Sequence, residues 1–151
     1  MTPYVHNLLR TVNFSQVDIR DWAIIDLRAT SNFLVTEALV VDIVPAVNPL
    51  TVTIPNGYRV QSTHDCKIAI PDLPEKARIG HIVPGLASHS LVSVIKLCNA
   101  GCKVTCTKIK CMVKYRGRVV HTGSKCRRTG LWMIPLTPNS MQTTNSTDHT
   151  A

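Results

Sequence analysis

The sequence predicts a mainly β fold with one short helix, and three observations support that class. Short apolar or alternating segments recur between turn signals, starting with the apolar run at 22–25 that ends at Asp26. A single stretch has the i, i+3, i+4, i+7 spacing of one helical face, formed by Leu91, Val94, Ile95 and Cys98. After Gly101 the apolar period returns to two, which is typical of strands.

The first part of the chain is expected to hold a hairpin followed by further strands. Asn56-Gly57 lies between alternating segments at 50–54 and 58–63, a pattern that predicts a hairpin with a two-residue loop. Strands are also predicted at 66–70 and 81–86. Ser88 or Ser90 is expected to cap the helix that follows, and Asn99–Gly101 to end it.

The second part is expected to be an antiparallel meander with strands at 104–106, 111–115, 118–120 and 130–134. Its turns are predicted near Lys108 and at Arg116-Gly117. The expected organisation is a lead-in at 1–19, a domain at 20–100, a basic β meander at 101–136 and a disordered tail at 137–151.

Composition favours one folded domain. Of 151 residues, 44% are apolar and 17% charged, which argues against intrinsic disorder. No run approaches the roughly 18 apolar residues that a membrane span needs, and 1–16 lacks the apolar stretch of a secretory signal. We therefore expect a cytoplasmic or nuclear protein with no membrane partner, in which the six cysteines are thiols.

Positive charge is concentrated in the second part of the chain. The net charge is +8, and no acidic residue lies between Glu75 and Asp148. From Lys96 to Arg128 there are ten basic residues: Lys96, Lys103, Lys108, Lys110, Lys114, Arg116, Arg118, Lys125, Arg127 and Arg128. Such a surface would attract nucleic acid, and a merely solvated basic sheet is the alternative. Aromatic residues, at 5%, are too few for a base-stacking platform.

Other candidate chemistry is weaker. Cys98, Cys102, Cys106 and Cys111 lack the paired short spacings of a structural zinc site, so core thiols are favoured over metal ligands. Cys106 and Cys111 could face each other across their hairpin. The histidines have no serine or cysteine nucleophile at a meaningful spacing, and no glycine-rich phosphate loop occurs. No cofactor and no metal is expected.

The segment Asp26–Phe33 carries a resemblance to a known family. Its sequence, Asp-Leu-Arg-Ala-Thr-Ser-Asn-Phe, resembles the Asp-Ser/Thr-Gly-Ala-Thr-Ser-His-Phe segment of retropepsin-like aspartic proteases from copia-type retrotransposon polyproteins. Three further segments follow in the family's order. Segment 53–57 resembles the flap hairpin, 81–97 the turn and helix that support the active-site loop, and 111–134 the strands before the integrase. The resemblance covers residues 23 to 136.

The resemblance implies a retropepsin-like acid protease barrel and an aspartic endopeptidase that processes a polyprotein. In that family two aspartates share one proton, so that one acts as base on a water and the other as acid towards the scissile carbonyl. This chain has one such motif, so a site would need a homodimer with Asp26 from each copy. The implied partners are a second copy of the chain and a peptide or polyprotein segment.

The resemblance also assigns the remaining site residues by position. Asp26 would be catalytic, and the residues that follow it in the motif are Leu27, Arg28, Ala29 and Thr30. The flap and substrate-binding residues would be Ile54, Pro55, Asn56 and Gly57. The supporting turn would be formed by Val83, Pro84 and Gly85.

Two positions of the triplet depart from the family pattern. Leu27 replaces a hydroxyl residue that bonds across the dimer, and Arg28 replaces a glycine that lets the backbone approach the carboxylates. A cation beside the aspartate pair also opposes the shared-proton state. We therefore expect peptide hydrolysis to be strongly impaired or absent. The alternatives are a catalytically dead dimerisation or peptide-binding module, and a nucleic-acid-binding fragment that uses 96–128.

Overall fold

The computed structural model describes residues 19–86 and 89–138, and their fold is mainly β, as predicted. The predictions of a lead-in and a disordered tail fall almost entirely on 1–18 and 139–151, which lie outside the described residues. After a 3-10 turn at Ile19–Asp21, the strands are β1 Trp22–Asp26, β2 Asn32–Leu34, β3 Val40–Pro45, β4 Thr51–Thr53, β5 Arg59–Gln61, β6 His64–Ile68, β7 Ile79–Ile82, β8 Ser90–Ser93, β9 Cys102–Cys106, β10 Lys110–Tyr115, β11 Arg118–Lys125 and β12 Trp132–Pro135. The helices are α1 Glu75–Arg78 and α2 Val94–Asn99.

Within the described residues, ten of the strands form one sheet with the order β3-β6-β7-β2-β8-β1-β12-β11-β10-β9, and β4 and β5 form a separate hairpin. Strand β1 lies near the centre, parallel to β8 and antiparallel to β12. Strand β2 in turn pairs parallel to β7 and antiparallel to β8. Through β12, the predicted meander of β9, β10 and β11 continues the sheet that contains β1.

The sheet is not closed into a barrel, which corrects the expectation of an acid protease barrel. Its two ends are β3 and β9, and these strands do not pair with each other. A barrel requires the last strand to return to the first. Here the meander is added on the far side of β12, so the sheet grows in width and stays open.

The sheet separates two apolar clusters of different size. The larger one includes Ala23, Val113 and Ile134 from the strands, together with Ala77 of α1 and Leu97 of α2. Because both helices contribute to it, this cluster is the main core. The smaller cluster lies on the other side of the central strands, under the hairpin of β4 and β5, and belongs to the candidate site described below.

The helix prediction needs two corrections. Residues Ser90–Ser93 form strand β8 because they insert between β1 and β2, and only Val94–Asn99 is helical. The cap is Ser93, whose Oγ accepts from the backbone N–H of Lys96 at 3.0 Å, instead of Ser90, and Ser88 lies outside the described residues. A second helix, α1, was not predicted, because its four residues are too few to show a helical period.

Candidate active site

Asp26 lies at the carboxyl end of β1, opposite Ser93 of the parallel strand β8. Its carboxylate oxygen Oδ1 accepts the backbone N–H groups of Arg28 at 2.7 Å and of Ala29 at 3.1 Å. In the described part of the chain no donor reaches the second oxygen, Oδ2, and the side chain is half-buried. The loop therefore fixes one oxygen and leaves the other able to meet a water molecule or a second carboxyl group.

Ser93 stabilises the loop that follows Asp26. The Ser93 hydroxyl donates to the carbonyl oxygen of Ala29 at 2.6 Å and also caps α2. Ser93 is fully buried, so this bond is shielded from water. One side chain thus joins the aspartate loop to the start of the helix.

Asn32 connects the same loop to α1 and β7. Its Oδ1 accepts the backbone N–H of Ser93 at 2.8 Å, and its Nδ2 donates to the carbonyl oxygens of Ala77 at 2.9 Å and Ile79 at 2.8 Å. The side chain is fully buried, and these bonds satisfy both of its polar atoms. The position of Asp26 therefore depends on contacts that span more than 60 residues of sequence.

Sequence reasoning assigned no role to Asn32 or Ser93. Asn32 belongs to the quoted motif, where the family has a histidine, and Ser93 lies inside the quoted segment 81–97. A polar residue at the start of an apolar run, as in Asn32-Phe33-Leu34, was the available signal. Such a residue is buried only when its hydrogen bonds are met.

The smaller apolar cluster packs between the aspartate loop and the β4–β5 hairpin. Its buried members are Ala29, Phe33 and Val83, and the residues packed against them are Leu50, Val52, Val60, Leu86 and Leu91. Three of these, Leu50, Val52 and Val60, belong to the hairpin or its approach. The base of the hairpin thus packs in the same cluster as Ala29, whereas the predicted flap residues 54–57 are not among its members.

The supporting turn meets the hairpin at Gly85. A β-carbon at this position would overlap Cγ1 of Val60, an approach that side chains do not tolerate. The turn itself is closed by the backbone N–H of Leu86 donating to the carbonyl oxygen of Val83 at 3.1 Å. Pro84 and Gly85 are exposed at its corner. The absence of a side chain at Gly85 therefore allows β5 to approach the turn.

The hairpin is present as predicted, but its loop has three residues, Pro55–Gly57, instead of two. Ile54 donates its N–H to the carbonyl oxygen of Tyr58 at 2.9 Å, and Gly57 donates to the carbonyl oxygen of Ile54 at 2.8 Å. Gly57 has φ +92, a left-handed conformation that favours glycine. The loop and Tyr58 are exposed, whereas Ile54 is half-buried.

The two departures from the family triplet point away from the core. Leu27 is 76% exposed, and Arg28 and Thr30 are also exposed. Ala29 is buried and belongs to the smaller cluster. Because nothing in the described part of the chain covers Leu27 and Arg28, an apolar side chain and a cation stand at the rim of the aspartate loop.

The cysteines are distributed between core and surface. Cys66, Cys102, Cys111 and Cys126 are buried, whereas Cys98 and Cys106 are exposed. The expectation of a core thiol is therefore wrong for Cys98 and Cys106. The β9–β10 register does place Cys106 opposite Cys111, as predicted. In the described residues no group of three or more histidine, cysteine or acidic side chains could hold a metal ion.

His81 and Asp65 form a half-buried pair on neighbouring strands β7 and β6. Nδ1 of His81 lies 2.9 Å from Oδ1 of Asp65, and the ring contacts Phe33. The hydrogen bonds of the described residues bring no serine or cysteine to the pair. The pair thus resembles the histidine and aspartate of a catalytic triad, but no nucleophile is hydrogen-bonded to it in the described residues.

Comparisons with protein-family models, with curated proteins and with solved structures found no match for this chain. No helix in 19–86 or 89–138 has both the length and the apolar character required to cross a membrane.

Proposed function

We propose that this chain is the aspartic endopeptidase region of a copia-type retrotransposon polyprotein in which the active-site triplet has degenerated. Hydrolysis by the native chain is then strongly reduced or absent. The observation that carries the proposal is the carboxylate of Asp26 at the end of β1. Two backbone N–H groups donate to one of its oxygens, and no donor of the described residues reaches the other. The resemblance in sequence and this geometry concern the same eight residues.

Peptide hydrolysis by this class of enzyme requires two such carboxylates that face each other. Two carboxyl groups at close range share one proton, which provides an acid and a base in the same site. Since this chain contributes one Asp26, the second comes from another copy related by a two-fold axis. Oδ2 of each Asp26 is the atom that would meet the attacking water.

The hairpin of β4 and β5 supports a substrate-binding role. It packs on the cluster of Ala29, Phe33 and Val83 next to the aspartate loop, and its loop Pro55–Gly57 is exposed. A peptide that enters between the hairpin and the loop would be covered on one side by apolar residues and could add strand-like hydrogen bonds. Movement of the hairpin would exclude water from the peptide.

The loss of activity follows from Leu27 and Arg28. Leu27 has no hydroxyl to bond across the two-fold axis, and its exposed side chain would meet its symmetry mate there. Arg28 adds one positive charge per copy beside the carboxylates, which stabilises their ionised forms and disfavours the shared proton. The loop thus still positions Asp26, while Leu27 and Arg28 disfavour the shared proton that hydrolysis needs.

The test compares the native chain with Asp26→Asn on a broad peptide library at acidic pH. We expect the native chain to cleave no faster than the variant, while both retain the same thermal unfolding temperature. If the native chain cleaved peptides and Asp26→Asn did not, the proposed loss of activity would be wrong, but the assignment to an aspartic endopeptidase would stand. Cleavage that persists in Asp26→Asn would contradict the assignment of Asp26.

A second candidate is a module that binds peptide or dimerises without cleavage. The apolar cluster under the hairpin favours it, because that surface needs no triplet chemistry. Peptide binding by Asp26→Asn with unchanged affinity, and no cleavage after the triplet is repaired, would favour this candidate over the protease.

A further inference from the structure

The outward face of β9, β10 and β11 carries lysines that are neighbours in space. Along β10, Cys111 and Val113 are buried, so Lys110, Met112 and Lys114 point to the other side of the sheet. The register then places Lys103 of β9 directly opposite Lys114. Thr105 and Thr122 flank Met112, and Ser124 lies opposite Lys110. We call this surface the lysine face: Lys103, Thr105, Lys110, Met112, Lys114, Thr122 and Ser124.

Within 19–86 and 89–138, no salt bridge neutralises the lysines of this face. Like charges directly opposite each other on neighbouring strands destabilise a sheet, and this describes Lys103 and Lys114. In the described residues the salt bridges involve Lys67, Arg78 and His81, on the opposite part of the sheet. No acidic residue occurs between Glu75 and Asp148, so none of this segment can pair with the lysine face. No acidic side chain of the described residues pairs with these lysines, so they are able to bind an external anion.

Further cations lie at both ends of these strands. Arg116 and Arg118 lie at the β10–β11 turn, where the Arg116 guanidinium stands 5.1 Å from the centre of the Tyr115 ring. Lys108, in the β9–β10 turn, and Arg127, after β11, lie at the opposite end and are exposed. Strand β10 alone spans about 17 Å between these ends, at about 3.4 Å per residue. Positive charge therefore follows the strands from turn to turn.

The side chains of the lysine face suit a phosphodiester backbone. Lysine and hydroxyl side chains are among the groups that contact phosphate oxygens in nucleic-acid complexes, and Thr105, Thr122 and Ser124 lie between or beside the lysines. The lysine face has no aromatic side chain on which a base could stack. It is also the surface of a sheet more than two strands wide, whereas the major groove of a duplex admits a helix or a two-stranded ribbon.

We propose that the lysine face binds the phosphodiester backbone of single-stranded nucleic acid, without selecting particular bases. The proposal is independent of hydrolysis, because Asp26 and the lysine face lie on different strands. Each lysine that neutralises a phosphate adds about 0.7 to the slope of log affinity against log salt for a single strand. Lys103, Lys110 and Lys114 together would account for a slope of about 2.

The test measures binding of a labelled single-stranded RNA of about 20 nucleotides, and of the DNA of equal sequence, between about 50 and 200 mM salt. The lysine-face variant is Lys103→Gln/Lys110→Gln/Lys114→Gln. The matched control removes three exposed charges elsewhere, as Arg28→Gln/Arg59→Gln/Lys76→Gln. At the lowest salt we expect the lysine-face variant to bind at least about tenfold more weakly, with a slope lower by about 2. The control variant should keep most of the affinity and most of the salt slope of the native chain.

A single change separates binding from folding. Lys103→Glu turns the like-charge pair with Lys114 into an opposite-charge pair, so we expect a higher thermal unfolding temperature together with weaker binding. If the control variant lost as much affinity as the lysine-face variant, the proposal would be overturned in favour of diffuse attraction. A strong dependence on base identity would also overturn it. Displacement of the RNA by polyglutamate of equal charge would instead assign the lysine face to an acidic protein.

Discussion

Asn32 uses both polar atoms of its amide to join β8, α1 and β7 beneath the loop of Asp26. Its three partners are backbone groups, and no neighbouring residue can replace their bonds once the amide is gone. A buried donor or acceptor left without a partner costs about 1–3 kcal/mol. Asn32 therefore stabilises the segment that follows the aspartate loop, in addition to the two bonds that Asp26 accepts within the loop.

We predict that Asn32→Ala lowers the free energy of unfolding by about 2–4 kcal/mol. The variant leaves the N–H of Ser93 and the carbonyl oxygens of Ala77 and Ile79 unsatisfied. Chemical denaturation gives the value directly. Asn48→Ala is the matched control, because Asn48 is exposed and its truncation should cost less than about 0.5 kcal/mol. Equal losses in the two variants would contradict this role of Asn32.

The buried thiols make stability depend on pH in the alkaline range. Burial raises the pKa of Cys66 from 9.0 to about 12, with a smaller contribution from the nearby carboxylate of Asp65. Burial likewise raises the pKa of Cys111 to about 12, and its partner across the hairpin, Cys106, adds to the effect. Between pH 9.0 and about 12, the thiols of Cys66 and Cys111 lose their protons in the unfolded chain and keep them in the folded chain.

We predict that the free energy of unfolding falls as the pH rises above about 9, by about 1.4 kcal/mol per pH unit for each of Cys66 and Cys111. The contribution is fully present below the unfolded pKa and is lost as the pH rises towards the folded pKa. Cys66→Ala should reduce this slope relative to the native chain, whereas Asn48→Ala, an exposed site that removes no thiol, should leave it unchanged. Denaturation curves at several alkaline pH values provide the measurement. An unchanged slope in Cys66→Ala would show that the thiol ionises in the folded state.

The strands and helices show where local sequence suffices and where it does not. The run Trp22–Ile25 and the alternation on either side of Asn56-Gly57 predicted β1 and the hairpin, because both patterns are local. Residues Ser90–Ser93 satisfy a helical period as well as a strand, and their pairing with β1 and β2 decides in favour of the strand. Such long-range pairing is not visible in a window of sequence.

The contact between the supporting turn and the hairpin can be tested at Gly85. We predict that Gly85→Ala destabilises the protein by about 1–3 kcal/mol, because the new methyl group would overlap the side chain of Val60. In a Val60→Ala background the cost of Gly85→Ala should be smaller, since the Cγ1 atom that the new methyl group would overlap is gone. A double-mutant cycle by denaturation measures the coupling. Additive effects would mean that the two segments do not touch.

At the scale of the whole molecule, charge was predictable and closure of the sheet was not. The concentration of lysine and arginine after Lys96 follows from composition alone, and β9, β10 and β11 bring part of it onto one face. A barrel was expected from the family resemblance, but the edge strands β3 and β9 remain apart. Which strands meet at the ends of a sheet depends on the arrangement of all the others, so no single segment contains that information.

Some features of the candidate site were also predictable from the sequence, and others were not. Asp26 at a strand end and the hairpin at 53–57 were predicted from sequence order, and the structure packs the base of the hairpin in the same cluster as Ala29. The support from Asn32 and Ser93 was not predicted, because it joins residues 45 and 61 positions apart. The exposure of Leu27 and Arg28 likewise depends on the turn that the loop adopts.

The most direct test of the account is the rate of peptide cleavage at acidic pH by Leu27→Ser/Arg28→Gly. The substitutions restore the hydroxyl and the glycine of the family triplet, while Asn32 and Ser93 still hold the loop. We predict that the repaired chain cleaves peptides, and that the rate per chain rises with protein concentration because each site needs two copies. Adding Asp26→Asn to the repaired chain should abolish cleavage. A repaired chain that is folded and dimeric yet cleaves no peptide would contradict the assignment of Asp26 to a protease site.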